Sequence, residues 1–299
     1  MTRSGGPGSA AADGWRFPNP ATPPGSADYY SIRFSAAGRR DALAALFALR
    51  RELRHILVQV SDPGVARRKL DWWRDEIGRG LEGRAQHPLC RPLEPAQRSH
   101  ALPLDPFLDM ARRVEDELQG SRSTTRAAHW HRLGDDRGAL FQLICHCHWD
   151  PCNRLTDDAT LAGARDAGAW CTQVRQLRAV GRLLRQGREI APQDLLEQIG
   201  LSQSELVRTA MAQSAQAGTG GPHPDPSRRA RLCGLLAELA PAPFPAAAAA
   251  ALPLPIRIQL RIHAALLQEL VRADFDLLDR RIGLTPLRKL WIAWRTSRS

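Results

Sequence analysis

Apolar residues recur at steps of three and four along most of the chain, and the alternation expected of strands is almost absent. Between residues 39 and 60, Leu43, Leu46, Phe47, Leu53, Ile56, Leu57 and Val60 share one helical face. Ser61-Asp62-Pro63-Gly64 interrupts this pattern. Asp62 suits an N-cap. Pro63 suits the first turn of a second helix, where the N–H that proline lacks would have no partner anyway. Val65, Leu70, Trp73 and Ile77 continue that helix. Further helices are expected over 108–118, over 129–148 with Leu133, Leu140, Leu143 and Ile144 as apolar positions, and over 159–187 with Gly187 as a C-cap. Others are expected over 228–239, from Pro245 toward residue 279, and over 286–294, where Leu287, Leu290, Trp291 and Trp294 share a face. Ser202 and Glu205 make a capping-box pattern. The Pro-rich stretch 83–106, a turn at 149–156 and the Gly/Pro-rich stretch 217–227 read as connections. Residues 1–27, rich in Gly, Pro, Ser and Ala, are expected to be disordered, which leaves 28–299 as one all-α domain.

The composition fits a globule: 299 residues, 43% hydrophobic and 24% charged. The net charge of +11 is carried almost wholly by Arg, since Lys occurs only at Lys69 and Lys289. Those arginines are spread over every helix and alternate with acids, and no helix-turn-helix, zinc-finger or RNA-binding signature accompanies them. A dedicated nucleic-acid role is therefore not expected. The eight Trp fall mostly within helical patterns and read as packing residues. Cys90, Cys145, Cys147, Cys152, Cys171 and Cys233 show no disulfide framework, which suits a reducing compartment. Cys145, His146, Cys147 and His148 face different ways around a helix, and no second pair with zinc spacing follows, so metal binding is not expected there. There is no apolar leader near the start and no apolar run of the ~18 residues that a membrane span needs. The expectation is a cytoplasmic protein, with the membrane surface as a second place of action. Residues 256–271 mix Ile and Leu with Arg257 and Arg261, and read either as a bundle helix with its apolar side buried or as a basic membrane-surface helix.

Three blocks of residues carry a resemblance. The first holds Tyr29-Tyr30-Ser31, Arg39-Arg40, Arg51-Glu52, Ser61-Asp62-Pro63-Gly64-Val65-Ala66 and Lys69-Leu70 with Trp72-Trp73-Arg74. The second, weaker, holds Val180-Gly181, Arg185, Gly187-Arg188, Pro192 and Asp194. The third holds Asp274-Phe275-Asp276-Leu277-Leu278, Arg280-Arg281 and the run from Leu287 to Arg295. In these blocks the chain resembles the squalene and phytoene synthases, which join two prenyl diphosphates head to head. The resemblance implies an isoprenoid-synthase-type helical bundle around a central cavity. It also implies two aspartate-rich motifs on facing helices that hold Mg²⁺ against the departing diphosphate.

Those acids are missing. Where the first motif belongs, the chain has Arg54, His55 and Val58; where the second belongs, it has Ala179, Arg182 and Leu183. Cations in place of carboxylates repel a divalent ion, so no Mg²⁺ cofactor and no catalytic residue are expected. Asp135 and Asp136 are adjacent on a helix and read as a solvated face. Arg175, Arg178, Arg182 and Arg185 form one helical stripe, for which two readings stay open. One is a solvated face paired with neighbouring acids. The other is a cavity in which guanidinium groups hold a prenyl diphosphate or an anionic lipid head group directly, with Arg54, Arg175, Arg182, Tyr30 and Ser31 as its binding residues. The expectation is a family member that has lost Mg²⁺-dependent prenyl transfer and acts as a prenyl-lipid-binding or assembly protein, with a protein partner or peripheral membrane contact. The rival expectation is an active prenyl-diphosphate transferase of isoprenoid biosynthesis with a rearranged site.

Overall fold

A computed structural model of the protein describes residues 14–148, 157–216, 226–277 and 282–299. Cys152, the expected turn at 149–156, nearly all of the connection at 217–227, and Leu278, Arg280 and Arg281 of the third block lie outside the described residues. Every regular element among the described residues is helical.

The bundle is built on α2 (Arg40–Gln59), which follows the short α1 (Ala27–Arg33). The first half of α2 is buried all round, since every residue from Ala42 to Leu49 is in the core. In its second half only Leu53 and Ile56 are fully buried, and Arg50 and Arg54 turn the other way. A helix apolar on all sides and then on one side has to enter at the centre of a bundle and leave along a cavity. The second helix, α3 (Pro63–Leu81), starts as the sequence predicts: the Asp62 side chain accepts a hydrogen bond from Val65 N, with Pro63 in the first turn. Glu76, wholly buried on α3, accepts from the backbone N–H groups of Gln86 (2.8 Å) and His87 (2.7 Å), which pins the Pro-rich connection to the bundle. That connection contains α4 (Glu94–His100) and leads to α5 (Asp105–Leu118).

Order begins earlier than residue 28. Asn19 and Thr22 are buried, Asn19 Nδ2 donates to Ala44 O (3.0 Å), and Phe17 N donates to Asp41 Oδ1 (3.0 Å). Residues 14–26 are therefore turns fastened to the start of α2 and not part of a disordered segment. Composition hid this, because two polar side chains making backbone contacts anchor the segment.

The expected helix over 129–148 is three pieces: α6 (Arg126–Leu133), a π-turn (Gly134–Gly138) and α7 (Ala139–Cys147). The π-turn packs against α8 (Asp158–Arg178), and a Cβ built on Gly168 of α8 would lie 2.3 Å from Gly138 N. Gly138 meets the same backbone from its own side, with a Cβ there 2.5 Å from Arg165 O. Two facing glycines thus let the π-turn and α8 approach closely. The expected helix over 159–187 also divides, at Ala179, into α8 and α9 (Val180–Arg185), and Gly187 follows in the left-handed conformation (φ +67°). Helices α10 (Gln193–Ile199), α11 (Gln203–Gln216), α12 (Pro226–Glu238) and α13 (Ala246–Ala250) flank the bundle. The capping box is present, with Ser202 Oγ accepting from Glu205 N while Glu205 Oε2 accepts from Ser202 N.

Helix α14 (Leu254–Arg272) is a core helix: Ile256, Ile258, Leu260, Ile262, Leu266 and Leu270 are buried. Of the two readings of residues 256–271, the bundle helix is the one observed. The last helix, α15 (Pro286–Thr296), lies on α14 and α1.

The Gly138–Gly168 contact leaves no room for a side chain. Gly168→Ala should cost more than about 3 kcal/mol in chemical denaturation, since the added carbon meets backbone that cannot swing aside. Gly163→Ala, on the same helix with only Leu252 Cδ2 at 4.0 Å, should be neutral or stabilising by about 0.5–1 kcal/mol.

Candidate functional site

The second half of α2, the end of α8, α9 and the C-terminal part of α5 enclose a cavity of about 770 Å³. Its walls follow helical spacing: Arg50, Arg54 and Leu57 from α2, then Thr172, Arg175, Gln176 and Ala179 along α8. Eight arginines line it (Arg50, Arg54, Arg113, Arg122, Arg132, Arg175, Arg182 and Arg188) against three carboxylates (Glu117, Asp136 and Glu189), a formal excess of five positive charges. Leu57, Val58, Val60, Leu118, Leu133 and Leu183 supply an apolar portion.

The carboxylates are engaged by the arginines. Asp136 Oδ2 lies 2.5 Å from Arg50 Nη2 and 3.4 Å from Arg54 Nη1. Glu117 pairs with Arg54 (3.3 Å), with Arg113 (2.9 Å) and with Arg188. Arg54 therefore bridges the two acids. Glu189 pairs with Arg132 (3.2 Å) and accepts from Ser123 N. Burial alone would raise the Asp136 carboxyl, but Arg50 and Arg54 outweigh it and hold the group well below the usual carboxylate range. Glu117 is lowered in the same way by Arg54, Arg113 and Arg188 against its own burial. Arg122 and Arg182 have no carboxylate partner among the described residues.

Arg175 is a special case. Its nearest acid, Asp28 at 3.8 Å, is shared with the wholly buried Arg137, whose Nη1 donates to Asp28 Oδ1 at 3.0 Å. The like charge of Arg137, followed by burial, brings Arg175 down to about 10. It stays charged at neutral pH but is under-compensated. Its side chain keeps 44% of its surface, and it lines the cavity.

Of the residues singled out in the sequence, Arg54, Arg175 and Arg182 converge on this cavity, as do Val58, Ala179 and Leu183. His55 is not among the lining residues. Tyr30 and Ser31 do not reach it either. Tyr30 is buried beside Ile258, Ile262 and Ala293, and Ser31 Oγ donates to Asp28 O (2.8 Å) and accepts from Gln259 Nε2 (3.2 Å). Both serve the packing of α1 on α14. Of the arginine stripe, Arg175 and Arg182 line the cavity. Arg178 Nε instead donates to Ile282 O (2.8 Å), and Arg185 is on the surface.

The solvated-face expectation for Asp135 and Asp136 is corrected: both are buried. The wider π-turn separates their directions, so Asp135 pairs with Arg165 and Asp136 enters the cavity. Glu115 points away from the cavity and pairs with Arg74 of α3. Sequence reasoning missed Arg50, although it stands four residues before Arg54 on the same stripe, and it missed the Arg113–Glu117 pair, also at i,i+4. Arg188 belonged to the second block but was not marked as a cavity residue, and Glu189 carried no local signal; both meet α5 and α6 only through the tertiary fold. Among the described residues, no three His, Cys, Asp or Glu side chains gather closely enough to hold a metal ion.

Comparison with known proteins agrees with this architecture. The squalene/phytoene synthase family model matches residues 23–288, so the chain belongs to that family. Among solved structures it is similar to a dehydrosqualene synthase in complex with ligand (TM-score 0.67, 15% identity, 91% of this chain and 90% of the other). It is also similar to squalene synthase HpnC from Alicyclobacillus acidocaldarius (TM-score 0.63, 17% identity, 83% and 88%) and to YisP from Bacillus subtilis subsp. subtilis strain 168 (TM-score 0.58, 14% identity, 90% and 89%). At these identities the likeness establishes the fold. No curated protein sequence matches the chain.

The buried charges make stability fall on acidification. Asp136 has a folded pKa below its unfolded one, so its contribution is complete above about pH 4 and is lost as pH drops through the folded value. His263, buried on α14, is lowered to about 3 by burial and by the charges of Arg175 and Arg137. Its contribution is full above about pH 6.5 and fades below that. Thermal melts from pH 7.5 to 3 should show stability declining from about pH 6.5 and more steeply below 4. Asp136→Asn, which strands Arg50 and leaves Arg54 with Glu117 alone, should cost roughly 2–3 kcal/mol at pH 7, less than the ~3–5 of a dry pair because the cavity admits water. It should also flatten the limb below pH 4.

Proposed function

We propose that the cavity binds the phosphate or diphosphate head of a prenyl lipid through guanidinium groups, without a divalent cation, and that the protein acts as a prenyl-lipid-binding or assembly protein and not as a Mg²⁺-dependent synthase. The observation that carries this reading is the charge of the wall. Both positions where facing acids would hold Mg²⁺ carry arginine, Arg54 and Arg182, and the cavity has eight arginines for three carboxylates. Mg²⁺ needs near-octahedral oxygen ligands. Glu117 and Asp136 do enter the cavity, but their oxygens already accept from arginines, and the surrounding excess charge repels a cation. The donor set therefore does not fit the metal.

An anionic head suits the same wall. Guanidinium forks match phosphate oxygens two at a time. Arg122 and Arg182 are free to turn toward a ligand, and Arg175 would gain from added negative charge. Arg50 Nε, Arg113 Nη1 and Arg132 Nε are buried donors without an acceptor, so the carboxylates present do not satisfy these guanidinium groups in full. The volume of about 770 Å³ falls within the ~300–1,000 Å³ of small-molecule sites, and the leucine and valine portion suits an isoprenoid tail.

One observation favours a second reading. Asp136 and Glu117 do converge on the cavity, which is what a transferase with a rearranged site would require. The two readings differ in their need for metal. With farnesyl diphosphate at about 100 times Kd, binding adds ~2.7 kcal/mol, or about 5 °C in melting temperature for a domain of this size. The shift should be the same in EDTA as in Mg²⁺. Arg122→Gln with Arg182→Gln should leave the unliganded melt unchanged or slightly raised, since it eases repulsion in the wall, and should remove most of the shift. A shift seen only with Mg²⁺, with diphosphate released, would establish the transferase instead. No shift in either condition would refute both.

A further inference from the structure

The apolar face of α15 is uncovered. Leu287 is 77% exposed, Leu290 39%, Trp291 54% and Trp294 43%. These residues sit at steps of three and four, so they form one continuous stripe along the helix. The opposite side is seated: Ala293 is buried with Tyr30, Ile258 and Ile262, with Ile292 packed against them. α15 is thus a surface helix with two apolar sides, one used by the bundle and one facing solvent. Four large side chains in a row exceed the scattered exposure normal for a soluble surface.

The charge around the stripe is one-sided. Residues 282–299 contain Arg288, Lys289, Arg295 and Arg298 and no acid. The Arg295 guanidinium lies 5.4 Å from the centre of the Trp291 ring, and that of Arg298 lies 4.4 Å from the centre of the Trp294 ring. Each tryptophan of the stripe therefore carries a cation beside it. The one carboxylate facing this helix from α14, Glu269, is held by both Arg288 (2.7 Å) and Arg272 (2.7 Å). That combination matches the boundary of an anionic bilayer. Indole rings settle at head-group level, leucines reach the acyl layer, and arginines meet lipid phosphates. A protein partner able to cover the stripe would have to supply an acidic rim around an apolar groove, whereas an anionic leaflet presents both everywhere.

We infer that α15 is a membrane-docking helix, which lies flat on an anionic lipid surface with Leu287, Leu290, Trp291 and Trp294 inserted and Arg295 and Arg298 against the phosphates. The inference is independent of what the arginine cavity binds. No described helix is long and apolar enough to cross a membrane, so this is attachment along a surface.

The test is co-sedimentation of the full chain with phosphatidylcholine vesicles holding 0 or about 30% phosphatidylglycerol, read with tryptophan fluorescence. Binding should be at least tenfold stronger to the anionic vesicles and should bring a blue shift. Because the net charge of +11 draws the protein to any anionic surface, the deciding variant keeps that charge. Leu287→Ser with Trp291→Ser and Trp294→Ser should reduce the partition coefficient at least tenfold while the melting temperature stays within about 2 °C. Arg295→Gln with Arg298→Gln should weaken binding to the anionic vesicles several-fold and leave the weak binding to phosphatidylcholine alone unchanged. Arg122→Gln with Arg182→Gln should bind vesicles like the wild type, which separates docking from the cavity. Undiminished binding by the serine variant would overturn the inference. So would a wild-type dimer in sedimentation velocity that the serine variant abolishes together with no vesicle binding, since the stripe would then be a contact between copies.

Discussion

The buried Arg137 guanidinium is the constraint on which the rest of the architecture depends. It has no solvent exposure and lies between the rings of Phe47 and Phe141, each 5.9 Å away. Desolvating a charge in such a place is tolerable only with a bonded counter-ion, and Asp28 of α1 is that ion. Gln259 of α14 donates to the same carboxylate oxygen (2.8 Å) and accepts from Arg137 (3.4 Å). One guanidinium thus ties the first helix, the central π-turn and the penultimate helix together. Asp28 is held far below the usual carboxylate range, with Arg137 and Arg175 prevailing over its burial. The pair is local in space but spans 109 positions in sequence, so it acts as a register mark for the whole bundle.

The π-turn follows from the same requirement. Arg137 has to point inward while its neighbours serve other partners: Asp135 faces Arg165, and Asp136 faces Arg50 and Arg54. Three adjacent charged side chains, all buried, cannot be aimed at three partners by regular helical geometry with α8 so near. The wider turn accomplishes it, and the glycines at 138 and 168 supply the space. Carboxylates here act as structural counter-ions. Asp136 neutralises arginines of α2, and Glu117 joins α5 to α2 and to the segment after α9. Releasing acids committed in this way would leave guanidinium groups uncompensated.

How much of this was legible beforehand depended on the range of the interaction. The Asp62–Pro63 start of α3, the Gly187 terminus and the Ser202–Glu205 box are set within a few residues and were readable. So was the convergence of Arg54 with Arg175 and Arg182, once the resemblance had placed their helices face to face. Asp135 and Asp136 were misread because regular helical spacing was assumed where the backbone widens. Tyr30 and Ser31 were expected at the cavity because similarity in a block does not say whether a residue faces the cavity or supports it; Ser31 is bonded to Asp28 O, Tyr30 packs against Ile258, Ile262 and Ala293, and neither lines the cavity. The order of residues 14–26 was invisible because Asn19 and Thr22 are polar and anchor through backbone groups. Residues 256–271 and 286–294 carried similar amphipathic patterns, and only the packing of α15 over α14 decided which apolar face would be covered.

A cavity with five more positive than negative groups is a burden on the unliganded fold, since like charges inside a low-dielectric wall repel one another. The strain is visible at Arg113, whose pKa is pulled down by burial and then by Arg54 and Arg132, and it is eased at Arg54, which gains more from Asp136 and Glu117 than burial takes away. Arginine is the cation that bears such crowding, because its intrinsic pKa is too high for it to escape by losing its proton. Lysine, with its lower intrinsic pKa, would be the first to lose its charge under the same crowding, and both lysines of the chain are elsewhere, on α3 and α15. The wall therefore keeps its field across the physiological pH range. Any anion that enters relieves repulsion the empty cavity has to sustain, so binding and stability are coupled through the same guanidinium groups.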